Sequence, residues 1–167
     1  YKINTVFRSG TNIPEAIERI NDLTGLSLEN YVIIDTDALI KLVDAIGGVT
    51  FNVPIDMDYE DSSQDLYIHL KAGEQLIDGP KAEQLLRFRH NDDGTTYPSS
   101  YGQQDLGRMR TQREFIIATL KQTLKPQNIF KIKQIIDIMS EDVTTNMDIS
   151  NIFLTLIAPF ISRIANT

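Results

Sequence analysis

Residues 31–53 read Tyr31-Val32-Ile33-Ile34-Asp35-Thr36-Asp37-Ala38-Leu39-Ile40-Lys41-Leu42-Val43-Asp44-Ala45-Ile46-Gly47-Gly48-Val49-Thr50-Phe51-Asn52-Val53, and their apolar period changes twice. Tyr31 to Ile34 is a short, continuously apolar and β-branched run, which suits a strand covered on both faces. Asp37 can then cap a helix whose Leu39, Leu42, Val43 and Ile46 recur at three and four residues, with Gly47-Gly48 ending it. Val49, Phe51 and Val53 alternate as a second strand, stopped at Pro54 because proline brings no N–H to a ladder. Strand, helix, strand is the unit of an open α/β sheet.

The flanks extend that alternation. Upstream, Asn12 before Ile13-Pro14 starts a helix to about Leu23, with Ile17, Ile20 and Leu23 as its buried stripe. Downstream, Asp56 to Gln64 reads as a polar loop, Tyr67 to Leu70 as a strand and Lys71-Ala72-Gly73 as a turn. Gly79-Pro80 opens a helix through Leu86 that delivers Arg87 and Arg89 to its far end. His90 to Gln104 is rich in Asn, Asp, Gly, Ser, Thr and Tyr, without period, and is expected to be a mobile loop. A helix from Asp105 to about Leu124 is closed by Pro126; helices over 129–139 and 150–163 complete the chain. No repeat or linker divides it, so one domain is expected.

Composition narrows the function. A chain of 167 residues, 41% hydrophobic, is long enough for one domain with a core of its own. No run approaches the roughly 18 to 20 apolar residues of a membrane span, and the start lacks the form of a signal peptide. It begins with tyrosine, as an excised piece would. The absence of cysteine removes disulfides, thiolate zinc sites and cysteine nucleophiles. A net charge of -7 argues against nucleic acid as a partner. Neither Gly-x-x-x-x-Gly-Lys nor Gly-x-Gly-x-x-Gly occurs, which disfavours nucleotide-binding enzymes.

Against that acidic background, five of the eight arginines fall between Arg87 and Arg113. They are Arg87 and Arg89 in Leu-Leu-Arg-Phe-Arg-His and Arg108, Arg110 and Arg113 in Asp-Leu-Gly-Arg-Met-Arg-Thr-Gln-Arg. Arginine's planar fork engages phosphate oxygens two at a time, so the cluster reads as a site for phosphate esters. At about 100° per residue, Asp105, Arg108 and Gln112 share a sector of roughly 60°, while Met109, Ile116, Leu120 and Leu124 gather on another arc expected to face the core. The polar sector lies in the first two turns, where free amides and the positive dipole end would meet an anion together with Arg108. Plainer readings stand beside this one. Each arginine can be a solvated or ion-paired surface residue, Asp105 an N-cap, His90 a loop residue with no catalytic part, and Glu60-Asp61 and Asp92-Asp93 solvated charge.

Four segments carry a resemblance: Lys2-Ile3-Asn4; Asp44-Ala45-Ile46-Gly47-Gly48-Val49; Leu-Leu-Arg-Phe-Arg-His at 85–90; and Asp105-Leu106-Gly107-Arg108-Met109 followed by Gln112. In this order and spacing the chain resembles the LytR-CpsA-Psr (LCP) family over nearly its whole length. The resemblance implies a membrane-anchored enzyme on the outer face of mainly Gram-positive bacteria. Such an enzyme is a phosphotransferase that moves a glycopolymer, teichoic acid or capsular polysaccharide, from a polyprenyl pyrophosphate carrier onto peptidoglycan. Carried over, Arg87, Arg89 and Arg108 would grip the pyrophosphate, Gln112 would add a hydrogen bond and Lys2 would approach the same phosphates. Asp105 would orient an arginine or deprotonate the acceptor. Ile129, Ile132, Ile136 and Met139 would line a tunnel for the polyprenyl tail or be ordinary core.

The family pattern usually begins upstream with strands carrying magnesium-binding aspartates and a Ser-Ile-Pro-Arg-Asp motif. Neither is present here. Mg2+ is therefore implied as cofactor with its ligands upstream of this chain, and none of the residues here is assigned to the metal. The family's second arginine falls at Thr111, and Arg110, about 100° away on the helix, does not inherit its role. The expectation is a single three-layer α/β domain over 1–167, with a central mixed sheet flanked by helices and lacking its N-terminal strands; alone it would be inactive. A non-catalytic polyprenyl-phosphate binding module, or a regulator of envelope assembly, is the alternative.

Overall fold

The computed structural model describes residues 12–148. Lys2 and the helix expected over 150–163 lie outside the described residues. The elements run α1 (Ile13–Thr24), β1 (Val32–Ile34), α2 (Thr36–Ala45), β2 (Val49–Val53), β3 (Met57–Asp61), β4 (Leu66–Leu70), β5 (Gly73–Ile77), α3 (Gly79–Arg87), α4 (Asp105–Thr123), α5 (Ile132–Asp142) and β6 (Val143–Thr145). The α/β class is as expected.

Strand pairing departs from the simplest strand-helix-strand unit. Among the described residues β1 pairs antiparallel with β6, β2 with β5 and β3 with β4, and β1 and β2 do not pair. Two of these ladders involve strands that the sequence pattern did not reveal. Met57–Asp61, read as polar loop, is a strand facing Leu66–Leu70, and Gly73–Ile77 is the partner of β2. Their hydrophobic alternation is diluted by Asp58, Glu60 and Glu74 on the outer face and by Gln75 on the inner one, so only the pairing makes them strands. β1 is also more open than a strand covered on both sides, with Val32 51% exposed.

The core lies between α2, α3 and α4 and the inner faces of the β2–β5 and β3–β4 ladders. It holds Leu39, Leu42 and Val43 from α2, Val49, Phe51 and Val53 from β2, Ile68 and Leu70 from β4, Leu85 from α3 and Phe115 from α4. Fully burying such a side chain contributes about 1.5–3 kcal/mol. α2 is capped by Asp35, whose Oδ1 accepts from the Ala38 N–H at 2.7 Å; Asp37 sits in its first turn instead. At the helix's other end Gly48 has φ +87°, and a side chain there would strike Leu76 and the Ile77 carbonyl of the neighbouring strand. α5 packs on α2, with Ile135 buried and Met139 against the core. α1 buries no residue, and Leu23 is exposed.

α4 turns a different face inward from the one its hydropathy indicates. Gly107, Thr111, Phe115, Thr119 and Thr123 are buried, whereas Met109, Ile116 and Leu120 are exposed among the described residues. The threonines can be buried because their hydroxyls bond back to carbonyls one turn earlier: Thr111 to Gly107 at 3.0 Å, Thr119 to Phe115 and Thr123 to Thr119 at 2.9 Å. With the hydroxyl so occupied, each presents a methyl group to its neighbours. Phe115 meets Phe51 edge to face at 5.3 Å between centroids.

Candidate functional site

The segment joining α3 to α4 builds the site, and it is pinned rather than loose. Asn91 accepts from the Asp58 N–H at 2.7 Å, the Asp92 N–H donates to the Asp58 carbonyl at 3.0 Å, and Thr96 Oγ1 donates to the Arg89 carbonyl at 2.8 Å. The first two bonds seal the outer edge of β3. Tyr97, 2% exposed, anchors the segment between Phe88 and Tyr101. Asn, Asp and Thr side chains of the segment expected to be a mobile loop make local bonds, and its one deeply buried aromatic, Tyr97, docks on the core.

Gly107 allows that docking. A Cβ at this position would overlap the Gly102 carbonyl oxygen and come within 2.5 Å of the Tyr97 side chain. The loop therefore lies directly against the first turn of α4. Asp105 is the first residue of this helix and Gln104 its cap position, without a side-chain capping bond, so Asp105 is not the cap.

Two stretches far apart in sequence meet here. Phe88 is fully buried where the chain leaves α3 in an extended conformation, and Arg87 and Arg89 on either side of it open onto a common cavity. Arg108, one turn into α4, opens onto the same cavity. Its volume is about 510 Å³, and Tyr59, Gln64, Leu66, Leu86 and His90 complete the lining. Tyr59, Gln64 and Leu66 come from the β3–β4 hairpin, so they escaped the sequence reading together with that hairpin.

The charges are only partly neutralised. Arg87 Nη1 lies 2.8 Å from Glu83, and Arg108 Nη2 lies 2.9 Å from Asp105. Arg89 has no ion pair among the described residues. Three guanidinium groups thus face two carboxylates, and a buried donor, Arg108 Nε, has no partner among the described residues. The excess is one positive charge with an unused guanidinium donor, and an anionic group with several oxygens fits it.

The remaining candidates are placed differently. Gln112 lines no cavity described here; its Nε2 donates to the Leu86 carbonyl at 2.9 Å and ties α4 to the last turn of α3. Asp105 holds Arg108 and borders a second cavity of about 410 Å³, lined also by Arg89, His90, Gly94, Thr96 and Gln104. Arg110 is engaged on its own helix, with Nε 2.8 Å from Glu114 and its guanidinium 4.3 Å from the Tyr101 ring centre. That contact, with Tyr101 adding a second hydrogen bond, holds the Glu114 carboxyl below the usual range. Burial pushes the Tyr97 phenol up to about 12, and its hydroxyl has no hydrogen-bond partner among the described residues.

The chain is similar over most of its length to known proteins. A family model described as the LytR_cpsA_psr family matches residues 1–162. Biofilm regulatory protein A of Streptococcus mutans is 30% identical over 155 residues, spanning 90% of this chain and 35% of that protein. The polyisoprenyl-teichoic acid–peptidoglycan teichoic acid transferase TagV of Bacillus subtilis is 28% identical, over 89% of this chain and 36% of its own length. The crystal structure of TagV superposes with a TM-score of 0.70 over 93% of this chain and 54% of the solved one. The chain thus spans little more than a third of these curated relatives.

Proposed function

Because the chain belongs to the LytR_cpsA_psr family, we propose that it is part of a transferase that moves a cell-wall glycopolymer from a polyprenyl diphosphate carrier to peptidoglycan. The observation that carries this reading is the convergence of Arg87, Arg89 and Arg108 on one cavity. A diphosphate offers paired anionic oxygens to guanidinium forks, and transfer develops further negative charge on the leaving phosphate. Donors already fixed around the cavity stabilise that charge without rearranging at the moment of reaction. The regulator named among the relatives leaves room for a non-catalytic role; the teichoic acid transferase named among them supports catalysis.

Each residue has a part in this proposal. Arg89, unpaired, would meet the anion first. Arg87 and Arg108 would divide their guanidinium donors between it and their carboxylate partners, and Gln112 would keep both arginines in range by holding α3 to α4. Leu66, Leu86 and Tyr59 provide the less polar side of the cavity, beside the carrier or the first sugar. Magnesium would take its ligands elsewhere, since no three His, Cys, Asp or Glu side chains among the described residues converge as a metal site. No helix among them is long and apolar enough to cross a membrane. With a lipid-linked donor, the reaction belongs at the outer membrane face, where the intact protein would be anchored.

The test supplies the intact protein with a prenyl-diphosphate-linked saccharide and peptidoglycan glycan oligomers, and follows the phosphodiester-linked product. Replacing Arg87 and Arg108 together by alanine should lower the rate by about 100-fold or more. Full retention of transfer in that double variant would overturn the proposal.

A further inference from the structure

The cavity with the three arginines has a neighbour that shares part of its lining. Arg89, His90 and Arg108 line both, and beyond them the second cavity offers Thr96, Gln104 and Asp105. We propose that this second cavity is the acceptor subsite, taking a saccharide that presents a free hydroxyl to a phosphoryl group held at the shared wall. The inference rests on the transferase reading above and adds to it where the second substrate enters.

Phosphoryl transfer requires the attacking oxygen and the leaving oxygen to lie roughly in line on opposite sides of phosphorus. Two cavities that share Arg89, His90 and Arg108 in their linings would give the two oxygens separate places beside one phosphorus. Their linings differ in the way donor and acceptor differ. The first combines three arginines with leucine and tyrosine side chains, fitting a diphosphate with a less polar attachment. The second holds a carboxylate, an amide and a hydroxyl, groups that exchange hydrogen bonds with sugar hydroxyls.

Gln104 gives an independent indication. It has φ +52° and ψ -120°, a conformation that costs a non-glycine residue of order 1–3 kcal/mol. Its side chain does not cap α4 and makes no hydrogen bond among the described residues. Glycine would relieve the strain without losing any side-chain hydrogen bond among the described residues. What a glutamine adds at this position is an unengaged amide at the mouth of the cavity.

The step balances without a further reagent. The acceptor hydroxyl oxygen forms a bond to the phosphorus that carries the glycopolymer, and the bond from that phosphorus to the bridging oxygen breaks. The electron pair leaves on the prenyl monophosphate. The hydroxyl proton passes to the Asp105 carboxylate, 2.9 Å from the Arg108 guanidinium at the shared wall, and from there to water.

The experiment compares the intact protein with Gln104→Gly, using glycan oligomers as acceptor and a prenyl-diphosphate saccharide as donor. The expected result is an acceptor KM raised by about 5- to 10-fold, the size of one lost hydrogen bond, with donor KM within twofold and a melting temperature equal or higher. A raised donor KM with an unchanged acceptor KM would assign the cavity to the donor and overturn the proposal, as would no change in either. Binding of the oligomers alone is measured in parallel. If the intact protein fails to transfer yet binds oligomer in a Gln104-dependent way, the transferase reading falls and the saccharide subsite stands; if it binds none, the subsite falls.

Discussion

Gln112 on α4 donates its Nε2 hydrogen bond to the Leu86 carbonyl at the end of α3, 2.9 Å away, beside both stretches of arginines. Leu86 immediately precedes Arg87, and Gln112 lies one turn beyond Arg108. A single side chain thus couples the two helix segments from which the guanidinium groups of the cavity project. Gln112→Ala should lower unfolding free energy by about 1 kcal/mol, the net value of a partly buried hydrogen bond, and weaken diphosphate binding several-fold. Urea denaturation and calorimetric titration with inorganic pyrophosphate check the two effects.

Arg89 and Arg108 should separate binding from stability. Arg89 is exposed and without an ion pair among the described residues, so Arg89→Ala should weaken pyrophosphate binding while stability stays within about 0.5 kcal/mol. Arg108, with 22% of its side chain exposed, is packed into the wall. Arg108→Lys keeps the charge and loses the fork, and it should not restore affinity to the starting value. Titrations with pyrophosphate on both variants decide this.

Gly107 should tolerate no side chain. The added methyl of Gly107→Ala meets the Gly102 carbonyl and the Tyr97 side chain, so loop and helix must move apart. A loss of about 1–3 kcal/mol is expected, as for other overpacked sites, together with weaker pyrophosphate binding because Arg108 follows directly in the chain. Thermal unfolding with and without pyrophosphate measures both.

Tyr97 makes an alkaline signature. Its folded-state pKa of about 12 lies above the ordinary tyrosine value of about 10. Between these two pH values the native state keeps a proton that the unfolded chain has released, so stability is fully present below pH 10 and falls as pH rises through the window. The loss approaches about 2–3 kcal/mol. Tyr97→Phe should remove that part of the slope and cost little at neutral pH, because the buried hydroxyl has no partner among the described residues. Urea melts at pH 8 and pH 11 provide the comparison.

Legibility varied with the physics of each signal. The α2 stripe of Leu39, Leu42, Val43 and Ile46 and the alternation of Val49, Phe51 and Val53 are one-dimensional patterns, and both appear in the structure as read. The capping of α2 shifted by two residues because Asp35 and Asp37 are equally able to cap, and chain direction at the helix start selects Asp35. The face of α4 misled because hydropathy counts threonine as polar, whereas a threonine hydroxyl bonded to its own helix leaves a nearly apolar surface. β3 was missed because Asp58 and Glu60 make its outer face acidic, and β5 because the adjacent Glu74 and Gln75 break its apolar alternation; both are recognised by their partners.

Local chemistry in the sequence settled which residues are able to bind an anion: arginines clustered in an acidic chain, glycine before Arg108, and the motifs that mark the family. Their convergence depended on pairing and packing between residues distant in the chain. Buried Phe88, the Gln112 bond to Leu86 and the clearance at Gly107 bring residues 87–89 and 104–108 to a common wall. Such long-range contacts are set by shape complementarity among many side chains at once, which no local period encodes.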